Sequence, residues 1–194
     1  MAAQALLGEV QSNPLGAVER VLHALHAEEQ GVWLAVLGGA GAVQVTPGLH
    51  DENAVHAYRH GHCVALALCL HERTGWPLVG QFRNIDTFAW EEQARLLGYG
   101  DAGAQRFIFD LVHCFTETPD GLLLDIEGSH APETVAREAL EIIGTCALAQ
   151  VDPDALRAAH AWASNARMTP PLDLATAQSF VPGLLAGLPA ALAA

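Results

Sequence analysis

Cys63, His113 and Asp125 are the residues of this chain whose types and order could do covalent chemistry. A thiol becomes a strong nucleophile as its thiolate, which a helix N-terminus stabilises and a neighbouring imidazole creates by taking the proton. A carboxylate then fixes the imidazole tautomer and stabilises its charged form. Cys63 opens the apolar run Cys63-Val64-Ala65-Leu66-Ala67-Leu68-Cys69-Leu70, while His113 and Asp125 fall on two runs patterned as strands. Backbone N–H groups at the start of the Cys63 helix, its own included, would be placed to receive a developing oxyanion.

Whether His113 and Asp125 can meet depends on the turn between them. Thr118-Pro119-Asp120-Gly121 fits the three-residue hairpin loop in which a type I turn is followed by a left-handed glycine. In that register Thr118 pairs with Leu122, Phe115 stands opposite Asp125 and His113 opposite Glu127. His113 and Asp125 then become diagonal neighbours on one face, roughly 7 Å apart at the backbone. Glu127 shares the face and is a rival for the orienting role. A two-residue loop would turn Asp125 to the opposite face.

His56, His60 and His62 form a second cluster. Histidines four apart on a helix can share a metal ion, and His62 or Cys63 could add a ligand. No flanking carboxylate is placed to complete such a site, and ten histidines in the chain make chance clustering the simpler cause. One of these rings could instead line the cleft beside Cys63, which makes His62 an accessory candidate.

The elements that must position these groups follow from patterning. Residues 14–30 pattern as a helix capped by Asn13, with Pro14 in its first turn. Val32 to Leu37 and Ala42 to Thr46 pattern as a hairpin around Gly38-Gly39-Ala40-Gly41. The polar segment Asp51 to Gly61 predicts a short helix and a turn. The helix from Cys63 is apolar all round, hence enclosed on most sides, and Thr74-Gly75 followed by Trp76-Pro77 stops it. Leu78 to Phe82 predicts a strand and residues 88–98 a helix. Phe107, Phe109, Leu111, His113 and Phe115 alternate along a strand predicted from Arg106 to Thr116, and Leu122 to Glu127 returns beside it. Pro132 to Ile143 and Pro153 to Ala163 pattern as amphipathic helices. A weaker helical run from Leu172 is broken by Pro182 and Pro189.

Composition bounds the answer. The 194 residues, 51% hydrophobic, suit one domain over 1–194, with a core at about 31–130 and a helical part at about 131–194. No run reaches the roughly 20 uncharged apolar residues of a membrane helix, and Met1-Ala2-Ala3-Gln4 lacks a basic leader, so a cytoplasmic protein is expected. The four cysteines follow neither metal nor disulfide spacing. Nine basic residues, all arginine, face 22 carboxylates, a net charge of −13 that argues against nucleic acid or anionic membrane as partner. The same charge suits a cationic protein or peptide.

The order of a helix-opening cysteine, a strand histidine and an aspartate on the next strand resembles the papain-like and transglutaminase-like superfamily. The stretch Gly61-His62-Cys63 to His71-Glu72-Arg73-Thr74-Gly75-Trp76-Pro77 is similar to a motif of bacterial and phage proteins in which G-x-C opens a helix ending in T-G-W-P. Their strand histidine and L-x-D-x-x-G element are matched by Val112-His113 and by Leu123-Leu124-Asp125-Ile126-Glu127-Gly128, so the likeness spans about residues 59–130. It implies an α+β fold in which a central buried helix packs on an antiparallel sheet, with C-terminal helices added. It also implies a cysteine-dependent amide hydrolase or acyltransferase, such as a protease, glutamine deamidase or transglutaminase-like enzyme, acting on protein or peptide without a cofactor. Cys63 would be the nucleophile, His113 the base and then acid, and Asp125 the orienting group. A non-catalytic binding or assembly module keeping the fold is the alternative, and a histidine-rich metal-binding protein a third reading.

Overall fold

The computed structural model of the protein describes residues 31–37, 41–83, 107–108, 110–144 and 146–189. The helices expected over 14–30 and 88–98 lie outside these residues. What is described is an α+β architecture of five helices, a five-stranded antiparallel sheet and a two-stranded hairpin.

The hairpin pairs β1 (Val32–Ala35) with β2 (Ala42–Val45), Val32 opposite Val45. Its alternation buries Leu34 and leaves Trp33 exposed. Asp51 caps helix α1 (Glu52–Arg59), accepting the Ala54 N–H at 2.9 Å. Helix α2 (Cys63–Thr74) is buried from Cys63 through Leu70 and ends at Gly75, whose φ of 71° lets its N–H bond the His71 carbonyl at 2.7 Å.

An all-apolar helix needs partners on every side, and α2 has them. Ala65, Leu66, Cys69 and Leu70 pack with the hairpin, α1 and helix α5 (Leu174–Ala186). Val64, Ala67 and Leu68 pack with the large sheet and with helix α4 (Pro153–Asn165). That sheet runs β6-β5-β4-β3-β7, built from β3 (Leu78–Phe82), β4 (Leu111–Glu117), β5 (Leu123–Asp125), β6 (Gly128–His130) and β7 (Ala147–Val151). Cys114 and Leu78 face α2, and the Thr116 hydroxyl donates to the Ala67 carbonyl at 3.2 Å. Helix α3 (Pro132–Ile143) covers the other face, where Val135 meets Val79, Phe115 and Leu123. Among the described residues no helix is long and apolar enough to cross a membrane.

The hairpin register is the expected one. The Thr118 N–H bonds the Leu122 carbonyl at 2.8 Å, Thr116 pairs with Leu124, and Gly121 takes the left-handed position at φ 82°. Three expectations need correction, and one strand was not expected. The strand expected from Arg106 begins at Leu111, since Phe107, Ile108 and Asp110 are helical. Phe107 packs edge-on against Phe82 at 5.4 Å, toward α2, so tertiary packing overrides the alternation. The returning strand stops at Asp125, where Ile126 and Glu127 turn the chain into β6, and fully buried Ile126 anchors that turn. Strand β7, weak in β-branched residues, gave no pattern to read. Pro182 lies inside α5 without ending it, because burial of Phe180 and Val181 against α2 outweighs the lost backbone bond.

One core position has no room to spare. A Cβ on Gly80 would stand 2.5 Å from the Phe82 ring and 2.9 Å from a Val151 methyl. Gly80→Ala should destabilise the fold by about 1–3 kcal/mol, read as a lower urea midpoint with unchanged slope.

Candidate active site

The site forms where the start of α2 meets the start of β4. The α2 N-cap, His62, makes no side-chain capping bond, so the first N–H groups of the helix remain available to other acceptors. One acceptor is the Cys63 sulfur, which takes the Val64 N–H. A second donor comes from the sheet. Along β4 the N–H of Thr118 points toward β5, and alternation by two directs those of Thr116 and Cys114 the same way. In this register Cys114 would face residue 126, which has left the ladder for the turn. The Cys63 sulfur takes the Cys114 N–H in its place.

The early departure of the chain at Ile126 therefore leaves the Cys114 N–H without a β5 partner, and that N–H helps to stabilise a charge on the Cys63 sulfur. A second irregularity sits beside it. Gln81 pairs with His113 but the next pair is Phe82 with Leu111, so Val112 is an extra residue. Such a bulge bends and twists its strand locally, here immediately before His113.

His113 bridges sulfur and carboxylate. Its Nε2 lies 2.9 Å from Asp125 Oδ2, and it shares a side-chain hydrogen bond with Cys63, which leaves Nδ1 as the nitrogen toward the sulfur. Its ring is set edge-on to Phe115 at 4.5 Å. Asp125 is held from three sides. Besides His113, Oδ1 accepts the Glu127 N–H at 2.8 Å and lies 3.0 Å from His130 Nε2. One carboxylate thus fixes its own turn and two imidazoles. Cys63 and His113 each keep 9% of their surface open, and both line the cavity.

The electrostatics follow from these contacts. Burial works against a thiolate at Cys63, but His113 and the two backbone donors outweigh it and hold the thiol below its ordinary pKa. Burial also works against a charged His113, yet the sulfur and the Asp125 carboxylate outweigh it and raise the pKa to about 10. Burial likewise opposes ionisation of Asp125, and its bonds to His113 and the Glu127 N–H reverse that, holding the carboxyl low. All three directions favour a thiolate–imidazolium pair beside a carboxylate. The neighbouring Cys114 is pushed the other way, well up, by burial and by the Cys63 charge, which leaves it an inert core thiol.

Other sequence candidates lie elsewhere. Glu127 does not orient His113: the turn carries its side chain to the rim, where it pairs with Arg59 at 3.3 Å. His62 is buried and directs Nε2 to the Ala35 carbonyl at 2.8 Å, away from the sulfur. That bond also removes it from the metal reading. His56 and His60 stack at 4.6 Å, but no group of three or more His, Cys, Asp or Glu among the described residues is placed to hold a metal ion.

The sulfur and its partners open into a cavity of about 530 Å³ between α3, α4 and the end of α1. Sequence reasoning missed several of its polar groups. His130 could have been found had Gly128, at φ 107°, been read as closing a second tight turn after Asp125. Gln81, on the strand beside His113, and His160, on α4, carry no local signal and are brought in by the sheet and by helix packing. Set against family models, curated proteins and solved structures, the chain matches none of them.

Proposed function

We propose that the protein is a cysteine-dependent amide hydrolase or acyltransferase acting on a protein or peptide, of the papain-like and transglutaminase-like kind. The observation that supports this reading is the Cys63 sulfur at a helix N-terminus, bonded to an imidazole that Asp125 holds. Structural cysteines rarely have a charged imidazole and two backbone donors aimed at them, and none of those groups is needed to bury a neutral thiol.

In this reading the Cys63 thiolate attacks the acyl carbon, and a C–S bond forms as the carbonyl electrons move to oxygen. In this reading the Cys63 N–H at the start of α2 donates to that oxyanion. As the tetrahedral intermediate collapses, His113 gives its proton to the leaving nitrogen, and the C–N bond breaks. The acyl-enzyme then passes to water, in hydrolysis, or to an amine, in transfer, with His113 taking the incoming proton and the thiolate departing. Asp125 holds the ring in place through both half-reactions.

Activated acyl esters test the reading directly. Incubation with a p-nitrophenyl ester of a short capped peptide should release a burst of nitrophenol equal to the enzyme. Mass spectrometry should then find the acyl group on Cys63, and Cys63→Ser should abolish both. A protein that releases no burst and carries no adduct would instead be a binding or assembly module that keeps the fold.

A further inference from the structure

Asp125 serves two imidazoles, and the reaction as drawn uses one of them. His113 Nε2 lies 2.9 Å from Oδ2, while His130 Nε2 lies 3.0 Å from Oδ1, which also accepts the Glu127 N–H at 2.8 Å. The sheet builds this second contact as deliberately as the first. In the register of β5 with β6, Leu123 stands opposite His130 and Asp125 opposite Gly128. Opposite residues share a face, so His130 is a diagonal neighbour of Asp125 from β6, as His113 is from β4. A Cβ on Gly128 would meet nothing within 4 Å, so the glycine is there for its φ of 107° and not for space. That backbone closes the turn at Ile126 and Glu127 and returns the chain at once along β5.

His130 is also the open side of the network. Its side chain is 29% exposed, against 11% for His113 and 7% for Asp125, and all three line the cavity. A carboxylate held at one oxygen by a single N–H can still swing about its Cβ–Cγ bond. Two donors on Oδ1, one from the turn and one from β6, stop that swing and leave Oδ2 aimed at His113. Burial opposes ionisation of Asp125, and the His130 charge joins His113 and the Glu127 N–H in overcoming it.

We infer that His130 is a positioning residue of the site: its Nε2–H locks the Asp125 carboxylate, and through it the His113 ring, in the orientation that favours a Cys63 thiolate. The inference rests on Cys63 being the nucleophile and His113 its base, and names what holds that pair ready. His130 acts through Asp125 alone and hands no proton to the reacting atoms.

The pH profile of Cys63 alkylation by iodoacetamide, followed by the mass of the Cys63 peptide, tests this in three variants. His130→Leu removes the donor, His130→Asn leaves an amide too short to reach, and His130→Gln carries an amide N–H to about the Nε2 position. The midpoint of the profile should rise by about one unit in the leucine and asparagine variants, a tenfold smaller ratio of thiolate to thiol, and stay at the native value with glutamine. A purely structural His130 would lower the urea midpoint and leave the alkylation profile where it was, and that result would overturn the inference. So would a midpoint that falls, or one that rises equally with glutamine. If His130→Leu does not fold, asparagine against glutamine decides. A low native midpoint that none of the substitutions moves would remove His130 from the machinery and leave the Cys63–His113 pair standing. Reaction of Cys63 only above about pH 8.5 in the unmodified protein would overturn that pair and the role of His130 with it.

Discussion

Replacing His113 by asparagine should slow alkylation of Cys63 by iodoacetamide at pH 6.5 by on the order of 100-fold. A thiol with the ordinary pKa of about 8.5 is only about 1% ionised at that pH. In the unmodified site His113 and the backbone donors hold the thiol below its ordinary value against burial, and the imidazolium is the largest of the favourable groups. Asparagine can still meet Asp125 across the hairpin, so packing is largely kept and the loss reports the missing charge and proton acceptor. The rate should be followed by the mass of the Cys63 peptide, because Cys69, Cys114 and Cys146 are also free thiols. Recovery of the fast reaction above about pH 9 in the variant would show that ionisation alone had been lost. A variant that reacts at the original rate would mean that His113 does not set the state of the sulfur.

Much of this arrangement could be read before any coordinates, because it depended on local chemistry. The turn Pro119-Asp120-Gly121 fixes its own register through the left-handed glycine, and that register alone places His113 and Asp125 on one face. The extent of α2 was equally legible, since an all-apolar run ending in Thr74-Gly75 has few other outcomes. What failed was non-local. The alternation at Phe107 and Phe109 looked like strand, but Phe107 was needed against Phe82, 25 residues earlier in the chain. Glu127 looked equivalent to Asp125 because a strand was extended two residues beyond its end, and the difference between the two carboxylates is the turn at Ile126. The bulge at Val112 and the walls carrying Gln81 and His160 arise only when distant segments pack, so no window of sequence contains them.

Asp125→Ala should cost the fold about 3 kcal/mol, because it removes one partner from a buried, charge-assisted network and leaves the others unsatisfied. The carboxylate is 6% exposed and holds His113, His130 and the Glu127 N–H at once. Loss of the Glu127 N–H bond also loosens the turn that leaves the Cys114 N–H to the Cys63 sulfur. The pH dependence has a definite sign. The folded-state pKa of Asp125 is depressed, so its contribution is complete above the unfolded value of about 3.9 and is lost as pH falls through the folded value. Urea denaturation at pH 6 should therefore separate the native protein from Asp125→Ala by the full amount, and the gap should close as both are titrated toward pH 2. A gap that stayed constant down to pH 2 would mean that the side chain contributes through packing and not through its charge.

The claim beneath all of these expectations is that His113 and the backbone donors let Cys63 ionise below the ordinary range of a thiol. Ultraviolet absorbance of the thiolate, taken as the difference between the native protein and Cys63→Ser across a pH titration, measures it without any assumption about substrate. The account predicts thiolate absorbance that belongs to Cys63 and titrates below the free-thiol value of about 8.5. A difference spectrum that is empty at pH 7 and fills only above about pH 8.5 would contradict it.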